Sequence, residues 1–304
     1  MESQANCKQP ASSAELSRAG VMVTPRTGVN RKSPQAFWLA IEELMTSSVD
    51  VALEERKLGT VARVVLQNAA KLNTLNSHLM LTFVAELEAL AKREDLRAVV
   101  LTGAGDKAFI GGADIFEMAT LDAEKAEAFI TLVHRSCNAL REMPVPVIAR
   151  INGYALGAGL EIAAACDLRI ASSNAVFGMP EVKVGIPSVV EAALLPRLIG
   201  WGRTRELLLW GENIDAPTAL AWGFIEQLVA PAELNAAVDA RLDALLTAGP
   251  QAVRLQKKLI RDWENMTLDQ AVRAGIESFK QAYATDEPTR MMAAFVNRMR
   301  QKKG

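Results

Sequence analysis

The stretch that decides the fold is Arg150-Ile-Asn-Gly-Tyr-Ala-Leu-Gly-Ala-Gly-Leu-Glu-Ile-Ala-Ala-Ala-Cys-Asp-Leu-Arg169. A glycine-rich turn runs into a small-residue apolar helix, and that helix carries one carboxylate, Glu161, at a core position. Burying an unpaired carboxylate costs several kcal/mol or forces its pKa up. Glycines let backbone approach a ligand, and a helix N-terminus favours negative charge. The combination points to a site that stabilises an oxyanion and moves a proton.

Outward from this turn the chain reads as alternating strands and helices. Val49 to Glu54 and Val61 to Leu66 pair as a hairpin about Leu58-Gly59. Ser77 to Arg93 is a helix capped by Ser77, with Leu79, Phe83, Leu87 and Leu90 on one stripe. Strands follow at Arg97–Thr102, Pro144–Ala149 and Asp167–Ala171, with a helix over Glu124–Glu142. Strands separated by long crossovers describe an α/β core over residues 49–230. Beyond Pro231 the pattern is helical: Leu234–Leu246, Ala252–Trp263, Leu268–Ala284 and Thr289–Gln301. Residues 231–304 thus form a helical region whose apolar faces pack on the core or on another subunit.

Residues 1–48 differ, being polar and without sustained apolar period, and read as a disordered extension. Gln35–Met45 can form a short amphipathic helix, no secretory h-region is present, and Met45 stands as an alternative start.

The bulk properties exclude several classes. The 304 residues are half hydrophobic with a net charge of −1, which gives nucleic acid no electrostatic hold. No apolar run reaches the roughly 18 residues of a membrane span. Cys7, Cys137 and Cys166 are too scattered for a disulfide framework or zinc site, and the only histidines are His78 and His134. Neither a metal nor a Ser-His-Asp triad is expected. A dinucleotide fingerprint also fails, because Ala108 and Ile162 stand where its last glycine belongs.

Two further segments carry chemistry: Thr102 to Met118, with its glycine turns, and Phe177-Gly-Met-Pro-Glu-Val-Lys-Val-Gly-Ile-Pro187, which holds a second carboxylate, Glu181. With these the chain resembles the enoyl-CoA hydratase/isomerase (crotonase) superfamily. A strand, a glycine turn and Phe-x-x-Gly-x-Asp-Ile match Gly103 through Ile115. Asn-Gly-x-x-x-Gly-x-Gly-x-Glu followed by Cys-Asp-Leu-Arg-Ile-Ala matches Asn152 through Ala171, and Phe-Gly-x-Pro-Glu matches Phe177 to Glu181. The resemblance extends from about Val49 to near the C-terminus.

That resemblance implies an α/β crotonase-like spiral of β-β-α repeats with a helical C-terminal region that assembles trimers, or hexamers of paired trimers. It implies an acyl-CoA substrate whose thioester oxygen sits between the backbone N–H groups of Ala113 and Ala158. Gly112, Asp114, Ile115, Gly157 and Gly159 lie in the same turns. Lys71 and Leu72 match the family's loop near the CoA adenine and pantetheine, and Lys71 is an equal candidate for a CoA phosphate contact and for a solvated surface position. The basic run Arg298, Arg300, Lys302, Lys303 matches a tail that approaches CoA phosphates or is a charged, frayed end.

Hydratases of the family carry Glu at both carboxylate positions, whereas isomerases often keep one. The expected reaction is hydration of a 2-enoyl-CoA to a 3-hydroxyacyl-CoA, as in β-oxidation, with Glu181 protonating the α-carbon and Glu161 activating water. An isomerase, an acyl-CoA hydrolase or decarboxylase, and a non-catalytic CoA-ester binder are the alternatives. CoA enters as part of the substrate, no separate cofactor is required, and the location expected is cytoplasmic.

Other positions read structurally. Asp114 is as good a helix cap as a substrate contact, and Asp167 and Arg169 hold backbone or each other. After Ile186-Pro187 the family's glycine-rich run is replaced by Ser188-Val-Val-Glu191-Ala-Ala-Leu-Leu-Pro196. These residues narrow or reshape the acyl pocket. Glu191 either faces solvent in a first helical turn or enters the site.

Overall fold

A computed structural model describes residues 47–301. The expectations for residues 1–46, including the helix over 35–45, Met45 and Cys7, and those for Lys302 and Lys303, lie outside the described residues.

In chain order the strands are β1 (Ser48–Arg56), β2 (Gly59–Gln67), β3 (Leu96–Gly103), β4 (Ala108–Ile110), β5 (Val147–Ile151), β6 (Tyr154–Leu156), β7 (Leu168–Ser172), β8 (Val176–Gly178), β9 (Ile214–Asp215) and β10 (Gln227–Val229). They form two sheets. The six-stranded sheet has the order β1-β2-β3-β5-β7-β10, and the four-stranded sheet β4-β6-β8-β9. β1 and β2 make the expected hairpin, antiparallel from Ser48 opposite Gln67 to Arg56 opposite Gly59. The pairs from β2 to β10 are all parallel, as are β4-β6 and β6-β8. From β3 to β8 the chain alternates between the sheets, laying one strand in each before crossing over, which is the spiral that the resemblance implies.

The helices are α1 (Ser77–Ala91), α2 (Ile115–Met118), α3 (Ala123–Glu142), α4 (Ala158–Ala165), α5 (Leu195–Trp210), α6 (Ala216–Trp222), α7 (Leu234–Leu246), α8 (Pro250–Trp263), α9 (Leu268–Ala282) and α10 (Glu287–Gln301). The stripe Leu79, Phe83, Leu87 and Leu90 of α1 is buried. Its cap is Asn76 rather than Ser77: Asn76 accepts from the Leu79 N–H at 2.8 Å, and Ser77 instead gives both its N–H and its hydroxyl to Glu117. Either residue type satisfies an open helix N–H, and the contact of Ser77 with Glu117 leaves Asn76 as the cap.

Period-two alternation gives the large sheet two buried faces. Val99, Leu101, Val147, Ala149 and Ile151 join the main core with α1, α3 and α4. Their neighbours Ala98, Val100, Ile148 and Ile170 pack against Leu234, Val238, Leu242 and Leu246 of α7. Full burial of a Leu or Phe contributes roughly 1.5–3 kcal/mol, so the second face makes α7 integral to the fold.

Asp167 and Arg169 hold backbone, but not each other. Asp167 accepts from the Val147 N–H and from Lys257 Nζ, both at 2.7 Å. Lys257, buried on α8, also donates to the carbonyls of Leu140 and Val145. Arg169 donates to the carbonyls of Phe224, Ala163 and Cys166 and pairs with Glu226. By contrast, Leu268, Ile276 and Phe279 of α9 and Phe295 of α10 are exposed. Among the described residues no helix is long and apolar enough to cross a membrane, and no cluster of three His, Cys, Asp or Glu could hold a metal ion.

Candidate active site

Three neighbouring parallel strands of the small sheet, β4, β6 and β8, end on one side, and the expected site residues follow directly from those ends. Open parallel sheets bind ligands beyond the carboxyl ends of their strands.

After β4, Gly111 N–H donates to the Leu72 carbonyl, Leu75 N–H to the Gly112 carbonyl and Asp114 N–H to the Leu75 carbonyl, each at 2.8 Å. This parallel bridge uses the groups flanking Ala113 and turns the Ala113 N–H away from Leu75. Gly112 adopts φ 115°, a region that only glycine enters freely, and its backbone approaches the Leu156 carbonyl. Asp114 accepts from the N–H groups of Phe116 (2.9 Å) and Glu117 (3.1 Å), so its carboxylate caps α2.

After β6, Gly157 (φ 50°) donates to the Gly178 carbonyl at 2.8 Å and its own carbonyl accepts from Leu160 and Glu161. Ala158 is the first residue of α4, where helix geometry supplies no intrahelical acceptor for its N–H. Gly159 does not line the cavity as expected. It packs against β4 so closely that a Cβ there would strike the Ile110 carbonyl, which fixes the helix start against the strand.

Glu161 lies one turn into α4 and is 4% exposed. Oε1 accepts from the Ala192 N–H at 3.1 Å. Burial is the main cause that pushes its pKa up to about 8; the Ala192 N–H opposes this and the charges of Glu181 and Glu191 add to it. After β8, Pro180 opens a 3-10 turn that Gly185 ends at φ 85°, and the turn presents Glu181. Glu181 Oε2 accepts from Ser188 Oγ at 2.8 Å.

Both carboxylates face one cavity of about 580 Å³, together with Gly112, Ala113, Gly157 and Ala158. Lys71, Leu72, Asp114 and Ile115 also line it, and Phe116, Met118, Phe129, Ile130, Val133 and Val189 make its apolar wall. The loop bearing Lys71 and Leu72 is pinned by a residue without an expected role. Asn73, fully buried, donates to the carbonyls of Ala104 and Ala108 and accepts from the Asn68 N–H.

Glu191 takes neither expected position. It is buried, does not line the cavity, and its Oε1 stands 2.8 Å from Nδ1 of His134 on α3. Oε2 is buried with no hydrogen-bond partner among the described residues. The preceding Val190 holds φ 39°, which for a β-branched residue costs on the order of 1–3 kcal/mol. His134 is the neighbour of Glu191 that composition misses, because it stands 57 residues away in the chain.

Residues 56–303 match a family described as enoyl-CoA hydratase/isomerase. The chain is 36% identical over 243 residues to the short-chain-enoyl-CoA hydratase of Clostridium acetobutylicum, covering 80% of this chain and 93% of that one. It is 35% identical over 246 residues to the crotonyl-CoA hydratase of Syntrophomonas wolfei, covering 81% and 94%. Among solved structures it is similar to the enoyl-CoA hydratase from Bacillus anthracis, with a TM-score of 0.78, 30% identity, and coverage of 82% of this chain and 96% of that one.

Proposed function

The chain belongs to the enoyl-CoA hydratase/isomerase family and is a hydro-lyase of crotonase fold, and from that premise we propose that Glu161, Glu181 and the N–H groups of Ala113 and Ala158 add water across the 2,3 double bond of a 2-enoyl-CoA. One observation carries the reading: both carboxylates and both turns line the same cavity.

The thioester oxygen accepts from Ala113 and Ala158 as negative charge develops on it. One such donor is worth about 3–4 kcal/mol in the transition state. In the free site Glu161 holds a proton, because its pKa stands at about 8. That is the starting state for dehydration: Glu181 removes the α-proton of a 3-hydroxyacyl-CoA while Glu161 protonates the departing hydroxyl, which leaves as water. Hydration is the reverse. It begins with the proton on Glu181, Glu161 takes a proton from the attacking water, and Glu181 delivers its own to the α-carbon.

The names of the two relatives support a short acyl chain, with crotonyl-CoA as the first substrate to try. Lys71, lining the cavity, is assigned to the CoA moiety. The exposed apolar stripe of α9 and α10 supports a homotrimer or a hexamer of two trimers. Buried, free Cys137 and Cys166 are consistent with the cytoplasm.

The test is purified protein with crotonyl-CoA, following loss of the enoyl-thioester absorbance and the product mass. A gain of one water is expected, with kcat lowered about 10²- to 10⁴-fold in Glu161→Gln and in Glu181→Gln while the CoA ester still binds. An unchanged mass with a moved double bond would assign the site to isomerisation instead.

A further inference from the structure

One five-residue segment touches both carboxylates. Ser188 Oγ donates to Glu181 Oε2 at 2.8 Å, and the Ala192 N–H donates to Glu161 Oε1 at 3.1 Å. Between these contacts lie Val190, at φ 39°, and Glu191, buried against His134 of α3. A backbone conformation this unfavourable persists only where its surroundings impose it, and the Glu191 carboxylate is met by His134 and by the buried Cys137 thiol, both from α3.

We propose that Glu191, clamped by His134, is a positioning residue: it anchors the Ser188–Ala192 segment and through it fixes the orientation of Glu161 and Glu181. The proposal deepens the hydratase reading and rests on it.

The surroundings of the pair agree with this role. Glu191 faces His134 and the buried Cys137 from α3 and Glu161 from α4, while Glu161 also faces Glu181. The Cys137 thiol is held well above its usual value, by burial first and then by the charge of Glu191. The same charge favours the protonated form of Glu161. Glu191 therefore acts on Glu161 in two ways, through the Ala192 N–H that orients it and through the field that helps keep its proton. The His134 side chain is 52% exposed and that of Glu191 only 5%, so the clamp runs from the surface to the interior and His134 can be changed without opening the core.

Infrared pH-difference spectra of the intact protein read this without turnover, using the protonated-carboxyl band that Glu161→Gln removes. In Glu191→Gln, which removes the charge, the titration midpoint of that band is expected to fall, and in His134→Ala, which leaves the charge but loosens the Ala192 N–H, to rise. With crotonyl-CoA, kcat is expected to drop up to about a hundredfold with KM nearly unchanged, and the alkaline limb of the pH profile to follow the infrared midpoint. A folded Glu191→Gln protein with unmoved midpoint and wild-type kcat overturns the proposal. So does one whose only defect is a lower Tm. Should Glu191→Gln fail to fold, His134→Ala decides by the same two readouts. If wild-type protein leaves crotonyl-CoA untouched while the midpoint still moves, the hydratase reading fails and the positioning role stands.

Discussion

Gly157 and Glu181 occupy adjoining space: a Cβ built on Gly157 would overlap Oε1 of Glu181. The glycine is required twice, once for its φ of 50° and once for the room it leaves the carboxylate. Its own N–H is tied to Gly178, just before the turn that carries Glu181. Gly157→Ala is therefore expected to displace Glu181 and tilt the Ala158 N–H together. Misplacement on the scale of 1 Å can cost about a hundredfold in rate, so steady-state kinetics should show that loss chiefly in kcat.

The proton on Glu161 sets an alkaline limit. In the proposed reaction that proton must be present in the site, on Glu161 or passed to Glu181, and above about pH 8 Glu161 loses it in the free site. The kcat/KM for crotonyl-CoA, which reports the free enzyme, is expected to be half lost near that pH and to decline further above it. A profile flat through this range would show that hydration does not depend on a proton held in the site.

The same group makes stability depend on pH. A glutamate in water ordinarily loses its proton near pH 4.5, whereas Glu161 holds its proton to about 8 in the fold. The native state thus binds more protons than the unfolded state between these values, and stability falls as pH rises through that window. Glu161→Gln removes this contribution. Its Tm is expected to exceed that of the wild type increasingly from pH 5 to 8, as followed by thermal melts at several pH values.

Lys257 joins α8 to the core through the Leu140 and Val145 carbonyls and Asp167. Burial is the main cause that lowers its pKa, and Asp167 opposes it. Lys257→Met would leave Asp167 and two buried carbonyls without their cation. A loss of about 2–3 kcal/mol is expected by denaturant titration, below the full cost of a broken buried pair because Asp167 is one-third exposed.

The sequence announces its site more openly than its second sheet. Glu161, Glu181 and the two glycine turns stand out because carboxylates and glycines are costly in a core or helix unless the backbone needs them. β4, β6 and β8 span three residues each, too short for a period-two pattern to emerge. Yet their ends are what bring those turns together. Glu191 is visible as a carboxylate out of place, but its burial depends on His134, and no local pattern in the chain encodes a contact across 57 residues. The exchange of Ser77 for Asn76 as the α1 cap has a similar origin. Two adjacent residues can both cap, and only the tertiary contact of Ser77 with Glu117 separates them.

The alternation of strands between the two sheets has a temporal consequence. Ala113 follows β4, Ala158 and Glu161 follow β6, Glu181 follows β8, and Ser188 and Ala192 come after that. On the roles proposed above, a chain emerging from the ribosome therefore acquires its thioester-binding turns before it acquires both carboxylates. Any product interrupted ahead of Ala192 lacks the hydrogen bond to Glu161, and on the proposed roles premature termination within this span is expected to yield a catalytically silent fragment.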